Sequence, residues 1–217
     1  MTDNRRPLKS RATGWARTLA TTLAQTGIRP DAISASSMIL ALVGAGVFWM
    51  SADATAATQA YLLVGAGVCI QLRLLANLLD GMVAVEHGRG GSLGPVWNEL
   101  PDRIADVLFL AGAGYALRHV SPDVGPMLGW LAATLAVLTA YIRELGRALG
   151  LEADFAGPGA KPHRMAALTA GCVLAAVATF WQAGSTVLLL TLVAIVALTA
   201  VTVVRRTIRL ANRLGKA

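Results

Sequence analysis

The stretch NLLDGMVAVEHGRGGSLGPVWNELPD, residues 77–102, joins one long apolar segment of the chain to the next. It gathers acids, asparagines and glycines in a sequence that is 55% hydrophobic and only 14% charged over 217 residues. That composition is typical of an integral membrane protein rather than of a soluble globular one. The stretch therefore predicts a polar site where two neighbouring membrane helices end.

The apolar segments on either side of this stretch set the fold class. A bilayer core of roughly 30 Å requires about 20 apolar residues of helix, and the segments lack the period-2 alternation of a membrane β-barrel. We predict an all-α membrane protein, a bundle of six transmembrane helices that forms a single domain over residues 1–217. The predicted spans are residues 33–50, 56–79, 104–117, 127–142, 165–181 and 185–204.

A further short helix is predicted before the first span. Trp15, Leu19, Leu23 and Ala16 fall on one helical face, which indicates an amphipathic helix that lies in the membrane interface. A plain connector is the alternative.

The location of the charges predicts the orientation of the chain. The formal net charge is +7, and all of the 19 Lys and Arg residues except Arg118 fall on one side of the predicted bundle. The positive-inside rule places that side, with both termini, in the cytoplasm of an inner or plasma membrane. Residues 1–30 then form a cytoplasmic and interfacial segment, residues 31–204 the spans, and residues 205–217 a basic tail. The excess charge is explained by topology and lipid headgroups, so no nucleic-acid partner is expected.

Two pairs of oxygen-bearing side chains mark the ends of the opening stretch. Asn77 and Asp80 are three residues apart, and Asn98 and Asp102 are four apart, so each pair shares a helix face. Consecutive helices joined by a short connection pack together, which would let the two faces meet. Carboxylate and amide oxygens suit Mg²⁺ or Mn²⁺. The spacing alone leaves ordinary solvation of two helix ends as the alternative.

The whole stretch resembles the signature of the CDP-alcohol phosphotransferase family, D-x2-D-G-x2-A-R-x8-G-x3-D-x3-D. Every fixed position keeps its spacing, and five of the eight keep their residue type. The eight positions are filled by Asn77, Asp80, Gly81, Ala84, Val85, Gly94, Asn98 and Asp102.

The resemblance implies a transfer reaction of phospholipid biosynthesis. A CDP-alcohol, most often CDP-diacylglycerol, gives its substituted phosphate to an acceptor alcohol, and CMP leaves. In the family, four aspartates hold two divalent metal ions, and the last of them deprotonates the attacking hydroxyl. The resemblance thus implies Asn77, Asp80, Asn98 and Asp102 as ligands of Mg²⁺ or Mn²⁺, with Asp102 as the catalytic base. Relatives commonly form dimers, so a homodimer is also expected.

Other motif positions are expected to surround the nucleotide. Gly81, Ala84 and Gly94 leave space beside the backbone for a bulky ligand. Val85 stands where the family has arginine, and Arg89 is the candidate for the missing cation at the phosphates. A solvated loop residue is the alternative for Arg89.

The two asparagines weaken the expected metal site. Asn77 and Asn98 replace aspartates, so the four ligand side chains carry two formal negative charges instead of four. An amide oxygen still binds a hard cation, but a second divalent ion becomes less favourable. Either one ion suffices, or a neighbouring acid compensates, or the chemistry is lost. The neighbouring acids are Glu86, Glu99 and Asp106, and for Asp106 pairing with another residue is the preferred interpretation.

A basic cluster follows on the same side of the bundle. Arg143 ends the fourth span, and Lys161 and Arg164 begin the fifth. They are candidates for binding a phosphate on the acceptor alcohol, while positive-inside anchoring of helix ends is the alternative. Serine or another small alcohol remains open as the acceptor.

Two other functions are compatible with this sequence. One is a membrane scaffold or binding protein of the same fold that has lost catalysis. The other is a small-solute transporter, since acids within membrane segments often mark ion paths. Transporters usually set such sites near the midplane, whereas these acids lie at one edge of the predicted bundle, so the transferase is the favoured function.

Overall fold

The computed structural model describes residues 13–28, 30–86 and 94–215, apart from the side chains of residues 30, 31, 85, 86, 95 and 98. The regular structure of these residues is entirely helical, which confirms the predicted fold class. Their α-helices are α1 (Gly14–Gln25), α2 (Pro30–Ser51), α3 (Ala56–Glu86), α4 (Gly94–Tyr115), α5 (Val124–Ala148), α6 (Lys161–Ala178) and α7 (Gly184–Leu214).

Five of these helices, α2, α3, α5, α6 and α7, are long and apolar enough to cross a membrane. Helix α4 contains most of the predicted third span, but Glu99, Asp102, Arg103 and Asp106 lower its hydropathy. The sixth span therefore stays a prediction. Helix α3 continues beyond residue 79, and α4 begins well before residue 104, so both helices extend past their apolar segments and carry the polar site on the extensions.

The long helices pack side by side in a closed ring. Its order is α2, α3, α6, α7, α5 and α4, and α4 returns to α2. Helices α3 and α4 are consecutive in the chain, yet they make few direct contacts because α2 lies between them. The core inside the ring is apolar and includes Phe48, Ile70, Phe109, Leu168 and Leu192. The expected direct packing of α3 on α4 is thus limited to the neighbourhood of the site.

Helix α1 packs on α3 through three alanines. Ala16, Ala20 and Ala24 are buried in a cluster that includes Met82 of α3. Trp15, by contrast, is 56% exposed. The predicted apolar face is therefore divided: Ala16 turns inward because its small side chain permits a close approach, and Trp15 turns outward. The location of α1 in the membrane interface stays a prediction.

Glycines allow α4 and α5 to approach closely. A Cβ atom added at Gly129 would lie 2.8 Å from the carbonyl oxygen of Leu110 and 2.9 Å from the Cα of Gly114. No larger side chain fits at this distance without a shift of the backbone. The contact fixes the position of α4, and therefore of the acids that it carries.

The end of the bundle opposite the site is closed by a small polar cluster. Arg118 forms an ion pair with Asp53, donates a 2.6 Å hydrogen bond to the carbonyl oxygen of Trp49 and lies 4.3 Å from the Trp49 ring centroid. His119 lies 2.7 Å from the other carboxylate oxygen of Asp53. Each of these side chains takes part in a hydrogen bond, an ion pair or a ring contact. The cluster is therefore explained by its role in stabilising this end of the bundle.

Candidate active site

Three polar side chains form one stripe along the end of α3. Arg73, Asn77 and Asp80 follow at intervals of four and three residues, which places them on one helical face. Asp80 is only 6% exposed, and its Oδ2 accepts a 2.5 Å hydrogen bond from the Ser34 hydroxyl of α2. Its Oδ1 is buried without a hydrogen-bond partner among the described residues. Asp80 therefore presents one available carboxylate oxygen inside the bundle.

Asp102 of α4 faces this stripe and is surrounded by donors. Its Oδ1 accepts hydrogen bonds from Arg73 and from the amide nitrogen of Asn77 at 2.5 Å. Its Oδ2 lies 2.5 Å from the Nζ of Lys161 and 3.3 Å from a guanidinium nitrogen of Arg103. The Lys161 contact is an ion pair without hydrogen-bond angles. Three cations thus converge on one buried carboxylate.

The two motif aspartates lie at the same end of the bundle. Asn77, one turn before Asp80, bonds directly to Asp102, and Asp80 lies within electrostatic reach of both Asp102 and Arg73. Asp80 and Asp102 are 6% and 9% exposed. Solvated helix ends would be far more accessible, so this burial argues against the alternative of ordinary solvation.

Several predicted site positions stay predictions. Arg89 lies outside the described residues, and the side chain of Asn98 is among those that the structure does not describe. A Cβ atom added at Gly94 would meet no atom of the described residues within 4 Å, so these residues leave space for a ligand there. Gly81 is buried beside Asp80, and Ala84 is half-buried one turn later; both remain candidates for contact with the nucleotide.

Asp106, one turn after Asp102 on α4, belongs to a different arrangement. Its Oδ2 lies 2.7 Å from a guanidinium nitrogen of Arg164, and both side chains are at most 2% exposed. Arg164 also donates a 2.6 Å hydrogen bond to the carbonyl oxygen of Gly159. Arg164 is therefore enclosed in a buried ion pair. A phosphorylated acceptor would have to break that pair to reach it, so we leave Arg164 out of the acceptor site.

Arg143 lies beside a shallow basic depression at the same end of the bundle. It forms ion pairs with Glu99 at 2.5 Å and Glu144 at 2.8 Å, and its guanidinium lies 5.3 Å from the Phe155 ring centroid. The depression is lined by Arg143, Glu152, Asp154, Arg206, Arg209 and Arg213, together with apolar residues of α5 and α7. The C-terminal arginines were expected only as a basic tail, because nothing in their spacing indicates that α7 folds back beside α5.

Sequence reasoning also missed two residues of the site. Ser34 is 46 positions before its partner Asp80, and no local pattern connects them. Arg73 interrupts an apolar segment and lies two helical turns before Asp80. A charge within a membrane segment is itself a sign of function, and that signal could have identified Arg73.

The fit of a divalent metal ion can be tested against these side chains. In the described parts of the chain, no three His, Cys, Asp or Glu side chains come together as ligands. The available oxygens are Oδ1 of Asp80 and the amide oxygen of Asn77, whose nitrogen is engaged by Asp102. Because Mg²⁺ commonly uses one or two carboxylates and takes water and substrate phosphates as its other ligands, this set fits one ion. It does not fit two, since Asp102 is already occupied by cations.

Comparison with known proteins supplies the family. No protein-family model matches the chain. Phosphatidylinositol phosphate synthase of Mycolicibacterium smegmatis, a CDP-alcohol phosphotransferase, is 25% identical over 169 residues, which cover 73% of this chain and 68% of that enzyme. The chain is a relative of the CDP-alcohol phosphotransferases. The resemblance of residues 77–102 to the family signature is thereby supported by a similarity that extends over most of the chain.

Solved structures of a family member share the fold. Phosphatidylinositol phosphate synthase of Mycobacterium tuberculosis, in complex with manganese and citrate, superposes with a TM-score of 0.71 at 22% identity, over 90% of this chain and 88% of that one. The same enzyme with CDP-DAG bound gives a TM-score of 0.71 over 90% and 92% of the two chains. Its apo form gives 0.68. The helical bundle therefore has the same fold as this enzyme.

Proposed function

We propose that this chain is an integral membrane CDP-alcohol phosphotransferase that acts on CDP-diacylglycerol or a similar CDP-alcohol in phospholipid biosynthesis. The observation that carries the proposal is the buried pair Asp80 and Asp102, which are held by different helices, lie within electrostatic reach of each other and are accompanied by cations. The curated relative is named as a phosphatidylinositol phosphate synthase, and a structural neighbour binds CDP-DAG. The same chemistry explains why acids and cations are concentrated at one end of an apolar bundle.

The reaction requires four tasks of the protein's own residues. Asp80, supported by Asn77 and Asn98, would hold the Mg²⁺ or Mn²⁺ ion, which when bound supplies positive charge to the diphosphate. Gly81, Ala84 and Gly94 leave room for the nucleotide, with Arg89 near its phosphates. Asp102 accepts the proton of the acceptor hydroxyl. The acceptor oxygen then bonds to the phosphorus that carries the diacylglycerol, and the bond from that phosphorus to CMP breaks.

The acceptor side of the site is basic. Lys161 borders Asp102, and Arg143 borders the depression that also contains Arg206, Arg209 and Arg213. Arginine binds phosphate through a planar, two-pronged set of donors. We therefore propose that the acceptor alcohol itself bears a phosphate group, with Arg143 as its first contact.

The orientation follows from charge. The polar site and the basic ends of the helices lie at the same end of the bundle, and the positive-inside rule places that end in the cytoplasm with both termini. Helix α4 completes six spans because its charged half lies at that end rather than in the bilayer core. A homodimer and a single domain over residues 1–217 remain part of the proposal.

The decisive experiment is a screen of acceptors with the purified full-length chain in lipid nanodiscs. CDP-diacylglycerol and Mg²⁺ or Mn²⁺ are supplied with serine, glycerol 3-phosphate or an inositol phosphate, and CMP is measured. We expect metal-dependent CMP release with a phosphorylated acceptor, and its loss in Asp102→Asn. Full turnover by Asp102→Asn would refute the assignment of the base.

A second function is supported by one observation, the saturation of Asp102 by donors. A carboxylate held by three cations is a weak base as it stands, which is what a binding protein without turnover would show. CDP-diacylglycerol binding with no CMP released from any acceptor would select this function.

A further inference from the structure

The carboxylate of Asp102 is largely engaged by its neighbours. A carboxylate offers about four lone-pair positions. Arg73, Asn77 and Arg103 donate hydrogen bonds to it, and Lys161 adds an ion pair. A metal ion or an acceptor hydroxyl that binds Asp102 would compete with these contacts.

The guanidinium of Arg73 is only partly satisfied. Its side chain is 2% exposed, and one nitrogen contacts Asp102, while Nε and Nη1 are buried without a hydrogen-bond partner among the described residues. A buried charged donor without a partner is more costly than a buried neutral one. The two unused donors belong to a planar group whose natural acceptor is a carboxylate or a phosphate.

Two cations at Asp102 could also bind a second anion. Arg103 pairs with Glu99 at 3.7 Å as well as with Asp102, which leaves Arg73 and Lys161 as the cations that face Asp80 and Asp102. These two cations disfavour a second divalent ion beside Asp102, whereas they would attract a diphosphate.

We propose that Arg73 and Lys161 bind the diphosphate of the CDP-alcohol and thereby replace one of two divalent ions, so that this chain works with a single ion held at Asp80. This inference rests on the proposed function. Both cations pair with Asp102 in the absence of substrate and transfer to the diphosphate when it enters. Arg73 is suited to this exchange because its two unused donors remain available while the Asp102 contact persists.

The test counts bound metal ions without turnover. Mn²⁺ is titrated into the purified full-length chain in nanodiscs containing CDP-diacylglycerol and no acceptor, and binding is followed by calorimetry and electron paramagnetic resonance. We expect a single Mn²⁺ per chain, with the spectrum of an isolated ion. Two bound ions with a spin-coupled spectrum, as expected for metals about 3.5–4 Å apart, would overturn the inference.

Variants test the two cations separately. Arg73→Gln and Lys161→Gln should each weaken CDP-diacylglycerol binding about ten- to a hundredfold, the effect of losing a charged hydrogen bond. Arg118→Gln, which removes a cation at the opposite end of the bundle, should leave binding unchanged. Unaltered binding by Arg73→Gln would refute its role.

These outcomes are separable from the fate of the proposed function. A single ion together with Arg73-dependent binding, but no CMP from any acceptor, would remove the catalytic function and keep the inference. Turnover with two bound ions would do the reverse. The ion count uses the unaltered chain, so the inference stays testable even if a substitution of buried Arg73 impairs folding.

Discussion

Asp102 and Asp106 lie one turn apart on the same helix, are both buried, and have opposite surroundings. Asp106 is matched by one arginine, Arg164, in an ion pair with both side chains at most 2% exposed. Asp102 is met by three cations and lies within electrostatic reach of a second acid, Asp80. Asp106 and Arg164 balance each other one to one, although the Nε of Arg164 has no hydrogen-bond partner among the described residues. Asp102 belongs to an unbalanced cluster, with three cations on one carboxylate, of which Arg103 is shared with Glu99.

This difference separates structure from function within one helix. Removal of one member of a balanced pair should cost stability, because the partner is left charged and buried. Removal of a member of the unbalanced cluster should reduce activity more than stability, because the remaining charges can still pair with one another. The predictions below use that contrast, from the largest expected effect to the smallest.

Asp80→Asn should produce the largest effect. It removes the negative charge that holds the metal ion, so transition-state stabilisation of several kcal/mol is lost, and kcat/KM should fall about a thousandfold or more. CMP release from CDP-diacylglycerol measures the loss, and a thermal unfolding scan in detergent should show little change. Asp53→Asn, at the opposite end of the bundle, is the matched control and should retain activity. Activity within tenfold of the unaltered chain would remove Asp80 from the site.

Asp106→Asn should destabilise the fold by about 3 kcal/mol or more, since it leaves Arg164 charged and buried without its partner. The free energy of unfolding in mixed micelles is the measurement. The double variant Asp106→Leu with Arg164→Met should recover much of that stability, because apolar groups need no partner. If the double variant is no more stable than the single one, the pair is not the isolated structural unit described above.

Gly129→Ala should have an intermediate effect of about 1–3 kcal/mol on stability, because it forces apart helices α4 and α5. Asp102 and Asp106 both lie on α4, so the free energy of unfolding and the enzymatic activity should fall together. Gly46→Ala is the control: an added Cβ there meets nothing within 4 Å. A selective loss of activity in Gly129→Ala, with unchanged unfolding, would contradict this account of the helix contact.

Arg118→Gln should have the smallest effect, at most about 1 kcal/mol of stability, because its partner Asp53 is 59% exposed and solvent weakens their attraction. Turnover should be unchanged. A large loss of activity would mean that the Arg118 cluster is coupled to the site. The location of the two at opposite ends of the bundle argues against such coupling.

The sequence predicted the parts of this molecule that depend on local pattern. The helical class, the positions of the apolar segments and the shared faces of Asn77 with Asp80 all follow from period and spacing. The sequence could not predict the ring order in which α2 lies between α3 and α4. Which helices become neighbours depends on how their surfaces fit together, as the close contact of Gly129 with Gly114 shows for α5 and α4. For the same reason the hydroxyl of Ser34 at Asp80 was not foreseen.

The cations at Asp102 were the most consequential omission. Arg73 and Lys161 are 88 residues apart in sequence. Arg73 was explained by topology alone, and Lys161 was a candidate for the acceptor phosphate, until the bundle brought both to one carboxylate. Sequence spacing identifies which acids can meet. It does not identify which distant cations will pair with those acids. The number of such cations limits how many metal ions the site can hold.

The central claim, that this site transfers a substituted phosphate, is tested most directly by following the phosphorus itself. CDP-diacylglycerol labelled at the phosphate next to the glycerol is incubated with the purified chain, a divalent metal ion and a phosphorylated acceptor. The account predicts that the label appears in a lipid containing the acceptor, in an amount equal to the CMP released. Label that stays in CDP-diacylglycerol with every acceptor, or that appears only in phosphatidic acid, would contradict it.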